Sequence, residues 1–436
     1  MLEALSNAWR VPDLRQKLLF TAMIIALYRL GAFVPLPGVD ASVLAQGGID
    51  TQNSVSQLFG VFTGGAFNNL AVFSLGIMPY ITAAIVMNLM TVAIPRLQEL
   101  AREGDTGQQK ITQYTRYFTL ALAFIQSIAM SLFFTRSDTF GAAVSGATAV
   151  DVFLMIVTLT AGVMLIMWMG EQISQRGLGN GISLIITASI ISAAPSAIRA
   201  LLTGSVGPLS LVVLAILLVI IVAAIVFVNE GQRRIPITYA RRQVGRKMSQ
   251  GGSTYLPLKV NMAGVIPIIF ASSLLIFPTV LTQFASGGNQ DSFLFQLAAF
   301  FGPPGQGSAG GVPYIALYAM LIVMFTYFYT AVQFNPIEHA ENLKKSGGYV
   351  PGYRPGRPTA EYLNTVLTRI TLFGAFFLAS VAVLPYLITP LLGLPSTIFI
   401  GGTSILIVVG VSLDTVRQLE SQLMMRNYEG FLKSGR

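Results

Sequence analysis

Runs of apolar residues close to the roughly 20 needed to cross a bilayer as helix recur about ten times in this chain, which rules out most soluble folds. They extend from Leu18 to Pro35, Val72 to Ile94, Tyr117 to Phe134, Val152 to Gly170, Ile182 to Leu202, Leu209 to Val228, Met262 to Phe284, Tyr314 to Phe334, Ile370 to Leu392 and Ser396 to Leu413. Charged residues make up 10% of the 436, against about 25% in ordinary globular proteins, so a soluble chain of this kind would lack the charge to solvate its own surface. Lipid accepts outward-facing apolar side chains, provided the backbone is satisfied within helices. The sequence therefore predicts an all-α polytopic membrane protein.

The cations set its orientation. Of the 27 lysines and arginines, 24 fall on one side of a strictly alternating ten-span map, the bias shown by cytoplasmic loops. The other three are Arg29, near the outer end of the first span, and Arg136 and Arg199 on the opposite side. Both termini are expected in the cytoplasm, and the net charge of +9 is a cytoplasmic feature. The opposite loops carry Asp40, Asp50, Asp138 and Asp291 among Gly, Ser, Thr and Pro. Met1 to Lys17 is polar and mixed in charge, unlike a cleavable signal peptide, and Trp9 suits headgroup depth. Two halves, residues 1–202 and 203–436, would each hold an odd number of spans and so be mutually inverted, which allows a pore between them.

Several function classes drop out. With no cysteine there is no disulfide, thiol nucleophile or thiolate metal site. One histidine, His339, leaves little for Ser-His-Asp chemistry, and without a Gly-Lys dipeptide there is no phosphate-binding loop of the usual type. No catalytic residue, metal or cofactor is expected. Ion-coupled transporters bury acids or bases at mid-membrane, whereas spans two to ten here carry ionisable side chains only at their ends. That counts against a solute transporter, and it leaves an intramembrane protease only a serine-based site. Arg29 either snorkels to the interface or serves a function, and Glu171, closing the fourth span, is either a boundary charge or a ligand.

Two regions stand apart. Val55 to Leu70 places Gly60, Gly64 and Gly65 within six residues, a composition that forms poor helix at about 1 kcal/mol per glycine relative to alanine. It reads either as a broken element buried at membrane depth or as an external surface helix. The loops at 229–261 and 335–369 are large and basic: Arg233, Arg234, Arg241, Arg242, Arg246 and Lys247 cluster in the first. In the second, Lys344 and Lys345 precede a Gly- and Pro-rich stretch, from Gly347 to Pro358, that sets turns and presents Arg354 on a stiff tip. Topology needs far fewer charges, so these loops suit docking to phosphates or to an acidic protein face.

Several motifs, spread from Arg15 to Phe431, resemble those of the SecY/Sec61-alpha family of protein-translocation channels. They are Leu75-Gly76-Ile77-Met78-Pro79-Tyr80-Ile81, Gln113-Tyr114-Thr115-Arg116-Tyr117, Gly170-Glu171-Gln172-Ile173 with Gly177-Leu178-Gly179-Asn180-Gly181-Ile182-Ser183, Gly231-Gln232-Arg233-Arg234-Ile235-Pro236, Asn261-Met262-Ala263-Gly264-Val265-Ile266-Pro267, Asn342-Leu343-Lys344-Lys345-Ser346-Gly347, Arg354-Pro355-Gly356 and Gly401-Gly402-Thr403-Ser404.

The resemblance implies two inverted five-helix halves around an hourglass pore that opens sideways to lipid. It implies a constriction ring of Ile81, Ile85, Ile186, Ile190, Ile269 and Ile407, and a plug at about 58–70 that includes Leu58, Phe59, Gly60, Val61, Phe62, Gly64 and Gly65. Asn88, Thr119, Ser272 and Ser273 stand at lateral-gate positions, where hydrogen bonds between helices would hold the seam. Arg241, Arg242, Arg246, Lys247, Lys344, Lys345 and Arg354 match docking sites for the ribosome, including its rRNA phosphates, or for the motor ATPase SecA. Further implied partners are SecE, SecG, secretory and membrane-protein precursors and bilayer lipids, in the bacterial cytoplasmic membrane. The chain departs from the family pattern at Arg357-Pro358, where an acidic-polar pair is common, and His339 falls at a variable position to which no role is assigned.

Overall fold

The structure, a computed structural model, describes residues 11–40, 62–136, 148–203, 207–239, 253–275, 311–391 and 402–433, together with Trp9, Gly60, Val144 and two short strand pieces. Helix α1, Pro12–Gly31, starts on a proline whose missing N–H would have no helical partner, with Asp13 at the positive end of its dipole. Leu14, Thr21, Ile24 and Tyr28 form its buried face, while Leu19, Met23, Leu27 and Leu30 point outward, as lipid permits.

The second span, expected from Val72, begins as helix α2 only at Met78–Ala93. Residues 63–77 are a series of turns, in which Leu70, Gly64, Gly65 and Gly76 adopt left-handed backbone that ends any helix. Helix α3, Pro95–Arg102, then leaves α2 at 98°. The cause is local: Ile94 precedes Pro95 and is driven out of the helical region, to φ −105 and ψ 115.

Helices α4 (Asp105–Arg136), α5 (Ala149–Arg176), α6 (Gly181–Thr203) and α7 (Pro208–Glu230) follow. Thr148 and Asp151 form a reciprocal capping box at the start of α5. After the first basic loop come α8 (Ile266–Leu275), α9 (Gly311–Gln333), α10 (Pro336–Lys345), α11 (Arg357–Leu391) and α12 (Gly402–Lys433). Among the described residues, seven helices are long and apolar enough to cross a membrane, or eight if α2 and α3 count as one bent span. Of the ten expected spans, the remaining two correspond to α1 and to α8, which is described as far as Leu275. Helix α2 packs on α4, α4 on α5 and α9 on α11, and α6 of the first half contacts α12 of the second.

The basic loops hold a feature absent from the all-α expectation. Strand β1, Gln232–Tyr239, pairs antiparallel with Ser253–Lys259, from Gln232 opposite Lys259 to Thr238 opposite Ser253. Between them lie β2 (Gln243–Val244) and β3 (Lys247–Met248), which makes Ser253–Lys259 strand β4. On its other edge β1 pairs with β5, Gly348–Tyr349, so one sheet of order β4-β1-β5 joins the two loops. Pro236 is tolerated in the central strand because β5 reaches only Thr238 and Tyr239. Beneath the sheet Ile235, Leu258, Phe334, Val350, Leu363 and Leu367 form a small core separate from the main one.

Candidate functional site

The six ring candidates come from four helices: Ile81 and Ile85 on α2, Ile186 and Ile190 on α6, Ile269 on α8 and Ile407 on α12. None is more than 8% exposed, and all six belong to the main buried cluster. Isoleucine is not buried everywhere in these helices, since Ile191 and Ile198 of α6 and Ile216 of α7 each expose more than half of their surface. The i,i+4 spacing stacks each pair on one helix face, and β-branching restricts their χ1 rotamers. The arrangement is a set of stiff, apolar side chains gathered from both halves of the sequence.

The glycine-rich segment joins the same cluster. Thr63, Ala66, Phe67 and Leu70 are buried, and Phe62 packs against the cluster from its margin. Of the plug candidates, Gly60 is buried and accepts a backbone hydrogen bond from Gly65 at 2.7 Å, whereas Leu58, Phe59 and Val61 lie outside the described residues. The surface-helix alternative therefore does not hold for residues 63–70, which are turns with Thr63, Gly64, Ala66, Phe67 and Leu70 buried. Side chains of α1 and of the turn series itself hold them. Arg29 Nη1 donates to the Gly64 carbonyl at 2.7 Å, the Tyr28 hydroxyl donates to the Thr63 carbonyl at 3.3 Å, and Ser74 donates to the Ala66 carbonyl at 3.0 Å. Arg29, left open between snorkelling and function, is thus tied to this segment.

The four gate candidates lie on α2, α4 and α8. Asn88 is half-buried, and Thr119, Ser272 and Ser273 are buried. The three hydroxyls donate back into their own helices, Thr119 to the Thr115 carbonyl at 2.7 Å and Ser272 and Ser273 to the Ile269 carbonyl at 2.9 and 2.7 Å. Ser273 also reaches across to Met78 Sδ, 3.9 Å away, which places α8 beside the start of α2.

On the sheet side, Lys344 and Lys345 end α10, where the helix dipole favours cations. Both side chains are exposed, as is that of Arg354. The turn carrying Arg354 is braced twice: Thr359 Oγ1 donates to the Arg354 carbonyl at 2.8 Å, and Tyr353 stacks on Tyr362 with ring centroids 4.1 Å apart. Lys247 opens β3, and Arg241, Arg242 and Arg246 lie outside the described residues. His339 stacks on Phe334 at 4.2 Å, a packing position.

Two polar nodes near the basic side were not anticipated. Arg116 grips Glu171 through two contacts, Nε to Oε1 at 2.8 Å and Nη2 to Oε2 at 2.7 Å, tying α4 to α5. This bidentate geometry makes Glu171 a structural partner. Both residues sit in the motifs quoted above, but their spacing in sequence carries no sign of the pairing. At the second node a cavity of about 380 Å³ is lined by Asn180, Asn229, Lys259, Asn261, Asp414 and Arg417, among others. There Arg417 donates to the Asn229 carbonyl at 2.7 Å and pairs with Glu230 at 2.8 Å, while Asn261 Nδ2 donates to Asn229 Oδ1 at 2.9 Å.

This multi-pass helical bundle, with its apolar centre and a basic sheet beside it, has the fold of solved protein-conducting channels. The chain shares its fold with a structure solved as that of a protein conducting channel, with a TM-score of 0.64 and 18% identity over 93% of this chain and 91% of that one. It likewise matches Sec61 in the canine ribosome-channel complex from the endoplasmic reticulum, with a TM-score of 0.60, 18% identity and the same coverage. The particular family follows from sequence: the chain belongs to the SecY family, whose model matches residues 71–416. It is 46% identical to the protein translocase subunit SecY of Corynebacterium glutamicum, over 99% of this chain and 100% of that protein. Identity to the subunit of the same name from Mycobacterium tuberculosis is 45%, with the same coverage.

Proposed function

We propose that this chain is the pore-forming subunit of a gated protein-conducting channel in the bacterial cytoplasmic membrane. It passes unfolded secretory polypeptides across the bilayer and releases transmembrane segments sideways into lipid. The observation that carries the reading is the burial of all six isoleucines in one cluster, contributed by helices from both ends of a chain related full-length to translocase subunits. Closed, such a constriction excludes water and ions by dewetting, and opened, its side chains form an apolar collar around an extended polypeptide. Apolar segments of the passenger leave between α2 and α4 on one side and α8 and α9 on the other, because partitioning into lipid stabilises them.

The chain performs no chemical step, and energy enters through partners. SecA or a translating ribosome docks on the basic loops, with Arg354, Lys344, Lys345, Lys247, Arg241, Arg242 and Arg246 facing acidic side chains or rRNA phosphates. SecE and SecG complete the assembly, and both termini lie in the cytoplasm. The two halves, 1–202 and 203–436, hinge apart around the ring.

The test uses the absence of native cysteine. An Ile186→Cys channel is challenged with a stalled precursor carrying one cysteine of its own. A disulfide that depends on motor and nucleotide is expected. If position 186 stays unlinked while cysteines in the flanking loops do link, the polypeptide passes elsewhere and the reading fails.

A further inference from the structure

We infer that Tyr28 and Arg29 are positioning residues that latch the turn segment 63–77 onto the isoleucine cluster and couple its release to movement of α6. The inference rests on the channel reading above and assigns the first helix a part in gating.

The latch has two points. At the first, the Arg29 guanidinium donates to the Gly64 carbonyl at 2.7 Å and lies 5.4 Å from the centre of the Phe33 ring, so its charge is held by a backbone dipole and an aromatic face. Gly64 is fitted to this cradle. Its φ is 64°, and a Cβ there would come within 2.8 Å of Arg29 Nη1 and 2.9 Å of Ser192 Oγ. At the second point, the Tyr28 hydroxyl donates to the Thr63 carbonyl at 3.3 Å and lies 2.6 Å from Ser189 Oγ. Tyr28 is itself fixed by stacking on Phe73 near the other end of the segment, with ring centroids 5.6 Å apart.

Both points lead to α6. Ser189 and Ser192 sit on the helix that carries Ile186 and Ile190, and Ser192 Oγ also approaches the Gly64 carbonyl, at 3.5 Å. Two polar links thus join α1 to the ring-bearing helix, one from Arg29 through the Gly64 carbonyl to Ser192 and one directly from the Tyr28 hydroxyl, which also holds the Thr63 carbonyl, to Ser189. Any shift of α6 that widens the ring draws Ser189 and Ser192 off these groups and loosens the segment, and loss of the latch frees α6 in return. That reciprocity is what linkage between two coupled elements requires. Hydrogen bonds suit the task because they break over short displacements, whereas apolar packing resists only in proportion to area.

The experiment uses the intact complex in proteoliposomes without precursor. Two quantities are read: resting ion efflux, and the rate at which a membrane-impermeant thiol reagent labels a Gly65→Cys reporter, where an added Cβ meets nothing within 4 Å and the strain of its left-handed backbone is common to every channel compared, the reporter being present in all of them. Arg29→Ala is expected to raise both about tenfold, the population shift produced by losing one charge-assisted hydrogen bond. Tyr28→Phe raises both by less, and Arg29→Lys restores most of the seal. Gly64→Ala, read by efflux alone, matches Arg29→Ala while leaving α1 untouched, which covers the case in which the arginine variant fails to assemble. Combined with Arg29→Ala it adds less than its effect alone, because the shared Arg29–Gly64 contact is already gone and only the backbone strain and the approach to Ser192 remain. Parental efflux and labelling in the Tyr28, Arg29 and Gly64 variants, alongside a leaking Ile186→Gly/Ile190→Gly control, would overturn the latch alone. A control that does not leak either would overturn the pore reading beneath it.

Discussion

Two glycine-rich turn regions, residues 63–77 and 346–356, use the same residue type to different ends. In the first, Gly64 has a left-handed backbone and no room: arginine and serine atoms lie within 3 Å of where a Cβ would stand. In the second, Gly352 has φ 87 and a Cβ would meet nothing within 4 Å. The first turn closes on itself through hydrogen bonds such as Ser74 to the Ala66 carbonyl, is tied to its surroundings by side chains from α1 and α6, and buries several of its own side chains in the main cluster. The second is held by its own neighbourhood, through the β1–β5 pairing, the Tyr353–Tyr362 stack and the Thr359 hydrogen bond, and it turns Arg354 to solvent. The lesson is about allocation of contacts. An element tied to its buried seat by a few side-chain hydrogen bonds can leave when they break, whereas one held by strand pairing and ring stacking stays in place and presents a charge.

This contrast predicts that the two turns fail in different ways. The largest effect belongs to the exposed one. Arg354→Glu reverses the charge offered to a motor or ribosome and should lower precursor export by about a hundredfold, since like charges brought together at a docking surface cost several kcal/mol. Resting ion efflux should stay at the parental level, and a rise in it would show that the tip also holds the pore shut. Next is the buried region. Ile186→Gly with Ile190→Gly removes two stacked ring side chains from α6 and should raise efflux about tenfold as the constriction wets, with export of a strong precursor retained. An export defect as deep as that of Arg354→Glu would erase the distinction.

Much of the bundle could be read from the sequence, because lipid imposes long apolar runs and the cations mark one side. The failures were local and physical. The second span starts late because Gly76, between the expected start at Val72 and the observed one at Met78, takes left-handed backbone, a choice that an apolar count ignores. The sheet was hidden by its charges and by Pro236, although Ile235 and Ile237 alternate with exposed neighbours as a half-buried strand requires. At the site, nothing in composition separates Ile190 from Ile191, which are 8% and 53% exposed. Only the resemblance to a family singled out the former. Arg29 did carry a signal, as the one cation inside an apolar span, but its carbonyl partner 35 residues along the chain could not be inferred from spacing.

A smaller effect is expected from the ion pair that ties α4 to α5. Glu171 has a side chain only 13% exposed, while Arg116 is 42% exposed, so solvent screens part of the attraction. Glu171→Gln should cost about 1 kcal/mol, read as a lower midpoint for thermal aggregation of the detergent-solubilised complex. Neither efflux nor export should change at ordinary temperature, because the pair touches neither turn. A leak in this variant would extend the gating apparatus to the α4–α5 contact.

The smallest expected effect tests the opening contrast most directly. Gly352→Ala places a methyl group in open space, so the only penalty is the left-handed backbone, about 1 kcal/mol for an L residue. The β1–β5 pairing, the Tyr353–Tyr362 stack and the Thr359 bond all remain, and together they should hold Arg354 in place against that strain. Export should therefore fall by less than about fivefold, within the factor that 1 kcal/mol allows if all the strain reaches the docked state, and efflux should not change. Gly64→Ala carries the same backbone penalty plus the collision with Arg29 and Ser192, so the excess of its effect over that of Gly352→Ala isolates what the close approach contributes. Equal effects at the two glycines would mean that backbone strain alone matters, and that the crowding around Gly64 does not serve to hold the buried turn in its seat.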